Sequence, residues 1–405
     1  MPKPVPNRWL MLAVGMIGQA ASSVFVNAAP FLIPYLHLVK GLTLVEAGFL
    51  ASAPLVGMML TLIAWGAIVD RIGERLSMTI GLGLLALGST AAALSTSYVA
   101  IGVFLFLGGM GGASTNSASG RIVVGWFPPE RRGTAMGIRQ TAQPLGVGIA
   151  ALVVPNLVDA YGMRPTLLTI AGICGLATVL AGTLVVDPPR PSRSESEGLG
   201  HLVNPYTRDS RLWRIHLSST LLVVPQFTVW TYALVWLIDE KDWSVLAASI
   251  LVASTQLLGA AGRIAAGAWS DRVGSRLGPM RTVAIAAAAT MLALGLLEGT
   301  ALAVALIVIA SVITVADNGL AFTSVAEIGG PYWSGRAMGT QNTGQFLMAA
   351  ASPPVIGALV TSHGYAWAFG LVAVFPLLAI PLIPVRGEAS PKSHDRDTAA
   401  ADDGG

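Results

Sequence analysis

The sequence contains a single cysteine, Cys174, among 405 residues. One thiol can form neither an internal disulfide nor, by itself, a thiolate metal site. Because Cys174 lies in an apolar run, we interpret it as a small hydrophobic side chain that gives no information about the redox compartment. The five histidines are scattered without the spacing of metal ligands. The sequence therefore predicts no metal site and no cofactor.

Charged side chains are also scarce. Asp, Glu, Lys and Arg make up 11% of the residues, whereas roughly a quarter is usual in a soluble domain. Hydrophobic side chains reach 54% and the mean hydropathy is +0.68, so too few charges remain to cover a soluble globule. The net charge of +3 is not gathered into a basic patch, which argues against a nucleic-acid partner. We predict an integral membrane protein that is not an enzyme, because no cluster of nucleophile, base and orienting group is visible.

Apolar runs long enough to cross a hydrocarbon core of about 30 Å recur along the chain. Each must be helical, because a helix satisfies its own backbone groups in lipid. We therefore expect an all-α protein with twelve transmembrane helices, which we number 1 to 12. They are expected at 9–36, 44–68, 76–95, 99–126, 134–158, 164–186, 212–238, 243–269, 280–299, 301–326, 336–361 and 365–385.

The basic residues predict the orientation of these helices. Eighteen of the 24 Lys and Arg residues fall in the termini and alternate loops of one side, which places both termini in the cytoplasm. We expect a six-helix bundle over 1–186, a cytoplasmic linker over 187–210, a second bundle over 211–386 and a disordered tail over 387–405. The predicted location is the cytoplasmic (inner) membrane.

The two halves repeat one another. The string from Gly66 to Arg75 (GAIVDRIGER) matches that from Gly267 to Arg276 (GAWSDRVGSR) at an offset of 201 residues. Residues 133–143 (GTAMGIRQTAQ) match 335–345 (GRAMGTQNTGQ) at an offset of 202, which also pairs Asn116 with Asn318. Three separated matches at offsets of 201 or 202 residues predict two parallel copies of a six-helix unit.

These repeated strings resemble the major facilitator superfamily of secondary transporters over nearly the whole chain. The resemblance implies two six-helix bundles that rock about a central cavity, which opens alternately to either side of the membrane. Asp70, Arg71, Asp271 and Arg272 would form the family's gating motif. The expected partners are a small-molecule substrate, a proton or counter-anion and the lipid bilayer, and we expect a monomer. The alternative for the four loop residues is that they are ordinary charges of cytoplasmic loops.

Charges inside the predicted spans are costly and so indicate either a structural partner or a transport role. Three arginines, Arg121, Arg139 and Arg263, are predicted to face Asp317, with Glu327 as a possible further member. This surplus of positive charge favours an anionic substrate. Arg121 and Arg139 lie near helix ends, so their alternative role is to reach water or lipid phosphate.

Arg263 is the strongest candidate for substrate binding. Its string GRIAAGAWSDR resembles the oxalate/formate antiporter and monocarboxylate porter branches, in which an arginine here pairs with a substrate carboxylate. A guanidinium can meet two carboxylate oxygens with parallel hydrogen bonds. The repeat partner of Arg263 is Leu62, where nitrate porters carry a second arginine. The alternative to substrate binding is that Arg263 forms a permanent structural ion pair with Asp317. If it does not, Asp317 is the candidate for proton coupling.

Neutral polar residues complete the predicted cavity. Helices 1, 4, 7 and 10 line the cavity in the family, so the resemblance implies substrate contacts for Asn27, Asn116, Gln226, Trp230 and Asn318, in addition to Arg139. Asn and Gln also bond neighbouring helices together, which is the alternative for each. We therefore predict transport of a small organic anion, most simply a carboxylate, coupled to protons or to a counter-anion. The alternative is proton-coupled efflux of drugs or metabolites.

Overall fold

The computed structural model describes residues 7–198, 201–208, 210–386 and 388, and all regular structure in these ranges is helical. The predicted all-α fold is confirmed. Most of the predicted tail, 387–405, lies outside the described residues. The helices are α1 (Arg8–Phe31), α2 (Ile33–Leu38), α3 (Leu44–Ile72), α4 (Glu74–Leu94), α5 (Tyr98–Trp126), α6 (Pro129–Arg139), α7 (Ala142–Tyr161), α8 (Met163–Leu184), α9 (Arg193–Gly198), α10 (Pro205–Arg208), α11 (Arg211–Asp239), α12 (Val245–Val273), α13 (Leu277–Leu296), α14 (Leu302–Val372) and α15 (Val374–Leu382).

The last three predicted spans are joined in one helical stretch that covers α14 and α15. Within the described residues, ten helical segments are long and apolar enough to cross a membrane, and the tenth runs from Leu302 to Leu382. Inside it, Gly330 and Gly364 have φ values of 63° and 83°, which a right-handed helix does not contain. These two glycines mark turns between the tenth, eleventh and twelfth predicted helices.

The described chain forms two compact units. Unit 1 takes its described residues from 1–126, 141–203 and 329–340, and unit 2 takes its described residues from 127–140, 204–328 and 341–405. Each unit is built mainly from one half of the sequence and includes a short segment of the other half. Within the predicted linker, residues 187–210, the structure contains the short helices α9 and α10.

Unit 1 is held together by close helix crossings. The string GGMGG on α5 lies where α5 packs against α3 and α4. A methyl group added at Gly109 would collide with the backbone of Pro54, and one added at Gly111 with the carbonyl of Gly81. Small residues at such positions let helix backbones approach one another in lipid.

Unit 2 has its core around two large aromatic side chains. Trp236 of α11 and Phe369 of α14 are fully buried, with ring centroids 6.0 Å apart in an edge-to-face arrangement. This cluster also includes Met291 of α13 and Ile307 of α14. It fixes the elements that carry the candidate site.

Candidate functional site

Arg263 on α12 is buried in unit 2, with only 5% of its surface exposed. Its guanidinium carbon lies 5.9 Å from the centroid of the Trp230 ring on α11. Among the described residues, the Nε of Arg263 has no hydrogen-bond partner and no acid forms an ion pair with Arg263 within 4.0 Å. A buried guanidinium with unused donors is costly unless an anion completes its contacts.

Asp317 on α14 is the acid whose charge acts on Arg263. Its side chain is 2% exposed, and its Oδ2 has no hydrogen-bond partner among the described residues. The structural alternative, a permanent ion pair with Arg263, is not formed in this structure, because no contact within 4.0 Å joins the two groups. Two opposite charges therefore share one buried region of unit 2 while each keeps unused hydrogen-bonding capacity.

Arg139 lies at a break in a membrane-spanning helix. Helix α6 ends at Arg139, and α7 begins at Ala142. Pro144 explains the break, because it has no N–H to donate to the carbonyl of Gln140. The Arg139 side chain is buried, donates to Gln140 Oε1 at 2.7 Å and lies 5.8 Å from the Phe322 ring of α14. Broken helices are typical of substrate sites in transporters.

A chain of amide hydrogen bonds crosses unit 2. Asn318 Nδ2 donates to Gln226 Oε1 at 2.9 Å, and Gln345 Nε2 donates to Asn318 Oδ1 at 3.0 Å and to Ser219 Oγ at 2.8 Å. These contacts join α11 to two stretches of α14. Two of the predicted substrate residues, Gln226 and Asn318, are thus bonded to each other, and Gln226 stands one helical turn from Trp230.

Unit 1 contains a matching pair of amides. Gln19 Nε2 of α1 donates to Asn116 Oδ1 of α5 at 3.2 Å, and Gln19 Oε1 is buried without a partner among the described residues. In both units, a Gln from the first long helix of a half bonds the repeat-related Asn. The amide of Asn27 donates at 2.8 Å to the Ser23 carbonyl of its own helix, so this predicted contact is partly engaged within α1.

The first Asp-Arg loop, residues 66–75, lies in unit 1 and contacts a segment from the second half of the sequence. The prediction of a loop here is wrong for Asp70 and Arg71, because α3 continues to Ile72 and α4 begins at Glu74. Asp70 accepts hydrogen bonds from Gly335 N at 2.8 Å and Arg336 N at 3.0 Å. Arg121 of α5 donates to Asp70 at 2.6 Å and to Glu74 at 2.6 Å. Arg121 is therefore paired within unit 1, and the prediction that it faces Asp317 is wrong because these two carboxylates take its donors.

The second Asp-Arg loop, residues 267–276, makes the equivalent contacts in unit 2. Asp271 accepts from Gly133 N at 2.9 Å, Thr134 N at 2.8 Å and Thr134 Oγ1 at 2.7 Å. Gly133 and Thr134 are the repeat partners of Gly335 and Arg336. A carboxylate against the first turns of a helix is stabilised by the backbone N–H groups and by the helix dipole.

Arginine pairing differs between the two loops. Asp271 is paired with Arg276 of its own loop at 2.6 Å, whereas Asp70 is paired with Arg121 from α5. Glu327, the possible further acid of the predicted group around Asp317, lies 3.5 Å from both Arg132 and Arg276. Arg71 and Arg272, which complete the predicted gating motif, are both exposed.

Two residues of these networks, Ser219 and Glu74, do not emerge from sequence reasoning. Ser219 carries no pattern that distinguishes it from other helix serines. Glu74 stands at a helix start, where loop charges are ordinary. The sequence does mark Gln345, because it lies one turn from Gln341 on the eleventh predicted helix and the repeat aligns it with Gln143. Arg276 could also have been found, since it closes the repeated loop string.

A model of the Major Facilitator Superfamily matches residues 11–353 of the chain. The chain is 50% identical over 387 residues to an uncharacterized MFS-type transporter of Mycobacterium tuberculosis, covering 95% of this chain and 86% of that protein. It is 24% identical over 277 residues to the hexuronate transporter of Bacillus subtilis, covering 66% of this chain and 65% of that protein.

Among solved structures, the fucose:proton symporter of Escherichia coli has a similar fold. The TM-score is 0.73 at 18% sequence identity, and the match covers 93% of this chain and 98% of that one. This likeness concerns the fold alone.

Proposed function

The chain belongs to the Major Facilitator Superfamily and is therefore a membrane transporter, and we propose that its substrate is a small organic anion, most simply a carboxylate. The observation that carries this proposal is Arg263. Its guanidinium is buried beside Trp230, lacks a partner at Nε and forms no close ion pair with the described residues.

The charges of unit 2 support an anion. The loop acids Asp271 and Glu327 contact Arg132 and Arg276, so these charges balance one another. Among the remaining buried charges of the described residues of this unit, Arg139 and Arg263 are positive and Asp317 is negative, which leaves one positive charge. An incoming carboxylate would neutralise this charge, and the fork of Arg263 would bind both of its oxygens.

The neighbouring groups suit a carboxylate that also carries polar substituents. Trp230 offers an apolar ring face beside the guanidinium, and the amides of Gln226, Asn318 and Gln345 offer donors and acceptors for hydroxyl or carbonyl groups. The similarity to a protein named as a hexuronate transporter fits this chemistry, since a hexuronate is a sugar that bears a carboxylate.

We further propose that Asp317 couples transport to protons. A buried carboxylate with a free oxygen can bind a proton in one state of the carrier and release it in another. If the carrier instead exchanges one anion for another, Asp317 has only to balance the two arginines.

The proposed transport cycle is alternating access in the cytoplasmic membrane, with both termini in the cytoplasm. The protein would act as a monomer. Its two bundles, over 1–186 and 211–386, would rock about the site and are joined by the linker 187–210. The two Asp-Arg loops would form the cytoplasmic gate, because Asp70 and Asp271 each hold a segment from the opposite half of the sequence.

Uptake of labelled carboxylates into proteoliposomes tests the proposal. A panel should include a hexuronate, a short monocarboxylate and a neutral sugar of the same size as the hexuronate. We expect uptake of at least one acid, a loss of about tenfold or more in Arg263→Ala, and partial activity in Arg263→Lys. Arg281→Ala on the exposed face of α13 is the matched control and should transport normally.

Two results would contradict the proposal. Undiminished acid uptake by Arg263→Ala would remove the role of this arginine. Absence of acid transport, together with increased drug resistance of cells that overproduce the protein, would instead favour the efflux alternative.

A further inference from the structure

Unit 1 contains a cavity of about 640 Å³ that the proposed substrate site does not include. It is lined by Asp70, Arg71, Arg190, Leu202, Tyr332, Trp333 and Arg336. Its volume lies within the range of roughly 300–1,000 Å³ that is usual for small-molecule sites. Because three arginines and two aromatic rings line the same cavity, it is a candidate binding site.

Hydrogen bonds and a cation–π contact hold the aromatic side chains that line the cavity. Tyr332 Oη donates to the Pro191 carbonyl at 2.7 Å, and Trp333 Nε1 donates to the Leu202 carbonyl at 3.2 Å. The guanidinium carbon of Arg336 lies 4.3 Å from the centroid of the Trp333 ring. These contacts fix the aromatic side of the cavity and present the Arg336 head group to it.

The arginines of the cavity are not balanced by acids. Arg190 is bound by Glu74 at 2.9 Å, and Arg336 Nε lies 3.7 Å from Asp70, which is already bound to Arg121. Arg71 is exposed and makes no hydrogen bond or ion pair with the described residues. We count the charged residues that line the cavity, the charged residues that pair with them, and the neighbours Arg75 and Asp187. This group contains five arginines and three acids, namely Arg71, Arg75, Arg121, Arg190, Arg336, Asp70, Glu74 and Asp187.

We propose that this cavity binds a phosphate group, carried by an anionic lipid headgroup or by a soluble phosphate ester. The surplus of two positive charges calls for an anion, and guanidinium forks bind phosphate oxygens in pairs. The cavity lies at the end of the membrane span Val45–Ile72, where headgroup phosphates are found. Tryptophan and tyrosine rings are also enriched at this level of a membrane, and basic pockets between spans bind lipid headgroups.

A bound phosphate would also act on the Asp70 contact. Arg71 follows Asp70 directly, and Arg336 is one of the two residues whose backbone N–H groups Asp70 accepts. A phosphate that bridges Arg71 and Arg336 would therefore strengthen the hold of the first Asp-Arg loop on residues 335–336. Binding is expected to raise the stability of the protein by mass action.

The test is a thermal-shift titration of the purified full chain in a neutral detergent. The probes are dioctanoyl phosphatidylglycerol, glycerol 3-phosphate and inorganic phosphate, with sodium chloride at equal ionic strength and dioctanoyl phosphatidylcholine as references. We expect a saturable rise in Tm, with a Kd about tenfold weaker in Arg71→Ala. Arg71→Lys keeps the charge and should recover part of the affinity.

Arg272→Ala is the matched control, because Arg272 is the exposed repeat partner of Arg71 and does not line this cavity. It should bind the probes as the natural chain does. Saturation by phosphatidylglycerol alone would identify a lipid headgroup as the source, and saturation by the soluble phosphates would identify a free phosphate ester. No saturable shift with any probe, or equal losses in Arg71→Ala and Arg272→Ala, would overturn the proposal.

Discussion

Arg263 and Leu62 occupy equivalent positions in the two halves, and their difference is informative. The repeat preserves residues that pack or hold the loops, such as Gly66 with Gly267 and Asp70 with Asp271. It does not preserve the buried arginine, so Arg263 is not needed to build a six-helix unit. The first half does without this charge, so the shared architecture does not account for it, and the substrate proposal therefore rests on this residue.

Replacing Asp317 by Asn tests proton coupling. The amide keeps the shape of the side chain, but it replaces one acceptor oxygen by an NH2 donor and cannot bind and release a proton. We expect accumulation driven by a proton gradient to fall by about tenfold or more, while exchange of labelled for unlabelled substrate continues. Both rates are measured in the same proteoliposomes. Gradient-driven accumulation at the natural level in Asp317→Asn would rule out this carboxylate as the proton carrier.

Replacing Gln226 by Ala tests the amide chain of unit 2. The change leaves the Asn318 amide without its acceptor in a buried position, which costs about 1–3 kcal/mol. We expect a lower Tm and weaker substrate binding. Ser254→Ala on α12 is the control, because its hydroxyl is exposed and bonds only a carbonyl of its own helix. A Tm equal to that of the control would mean that the Gln226–Asn318 bond adds nothing to stability.

Helix crossings in both units depend on glycines that face a backbone. A methyl group at Gly66 would lie closer than 3.0 Å to backbone atoms of Gly335 and Arg336, and one at Gly267 would meet the backbone of Gly133 in the same way. These approaches bring each Asp-Arg loop close enough for its carboxylate to reach two backbone N–H groups. The glycines thus position the acids as much as they pack the helices.

Gly66→Ala is expected to disturb this crossing. The added methyl group would meet backbone atoms of residues 335 and 336 and not a flexible side chain that could move aside. Helix α3 and this backbone must therefore separate, and the hydrogen bonds of Asp70 lengthen. We expect a lower Tm and slower transport. Gly102→Ala on α5 is the matched control, because nothing lies within 4 Å of its added methyl group. Its Tm should stay level or rise, since alanine favours helix over glycine. Equal behaviour of the two variants would contradict the role given to Gly66.

At the scale of the whole molecule, each Asp-Arg loop contributes an aspartate that accepts hydrogen bonds from two backbone N–H groups. A variant of one loop can therefore serve as the control for a variant of the other. Asp271→Asn should weaken the hold on Gly133 and Thr134 and leave Gly335 and Arg336 unaffected, whereas Asp70→Asn should do the reverse. Hydrogen–deuterium exchange is expected to speed up in peptides from 129–139 for the first variant and in peptides from 331–340 for the second. Faster exchange of both peptides in both variants would mean that the loops do not act separately.

Sequence reasoning recovered what depends on periodicity and repetition, and it missed what depends on which helices meet. The twelve apolar runs and the paired loops are local patterns, so the fold and the superfamily follow from them. Asp317 and Arg263 stand out because each is a lone charge in an apolar run. Arg121 was grouped with the wrong acid because its partners Asp70 and Glu74 come from other helices, and a single sequence does not say which helices are neighbours.

The exchange of short segments between the halves bears on how the polypeptide could be divided. A fragment that ended in the linker would lack residues 329–340, so Gly66 and Asp70 would face no backbone partner. The complementary fragment would lack residues 127–140 and leave Asp271 and Arg276 equally exposed. Such fragments should be degraded when produced singly and become stable when co-expressed, because each completes the helix crossing of the other. The duplicated architecture therefore gives two mutually dependent pieces rather than two autonomous ones.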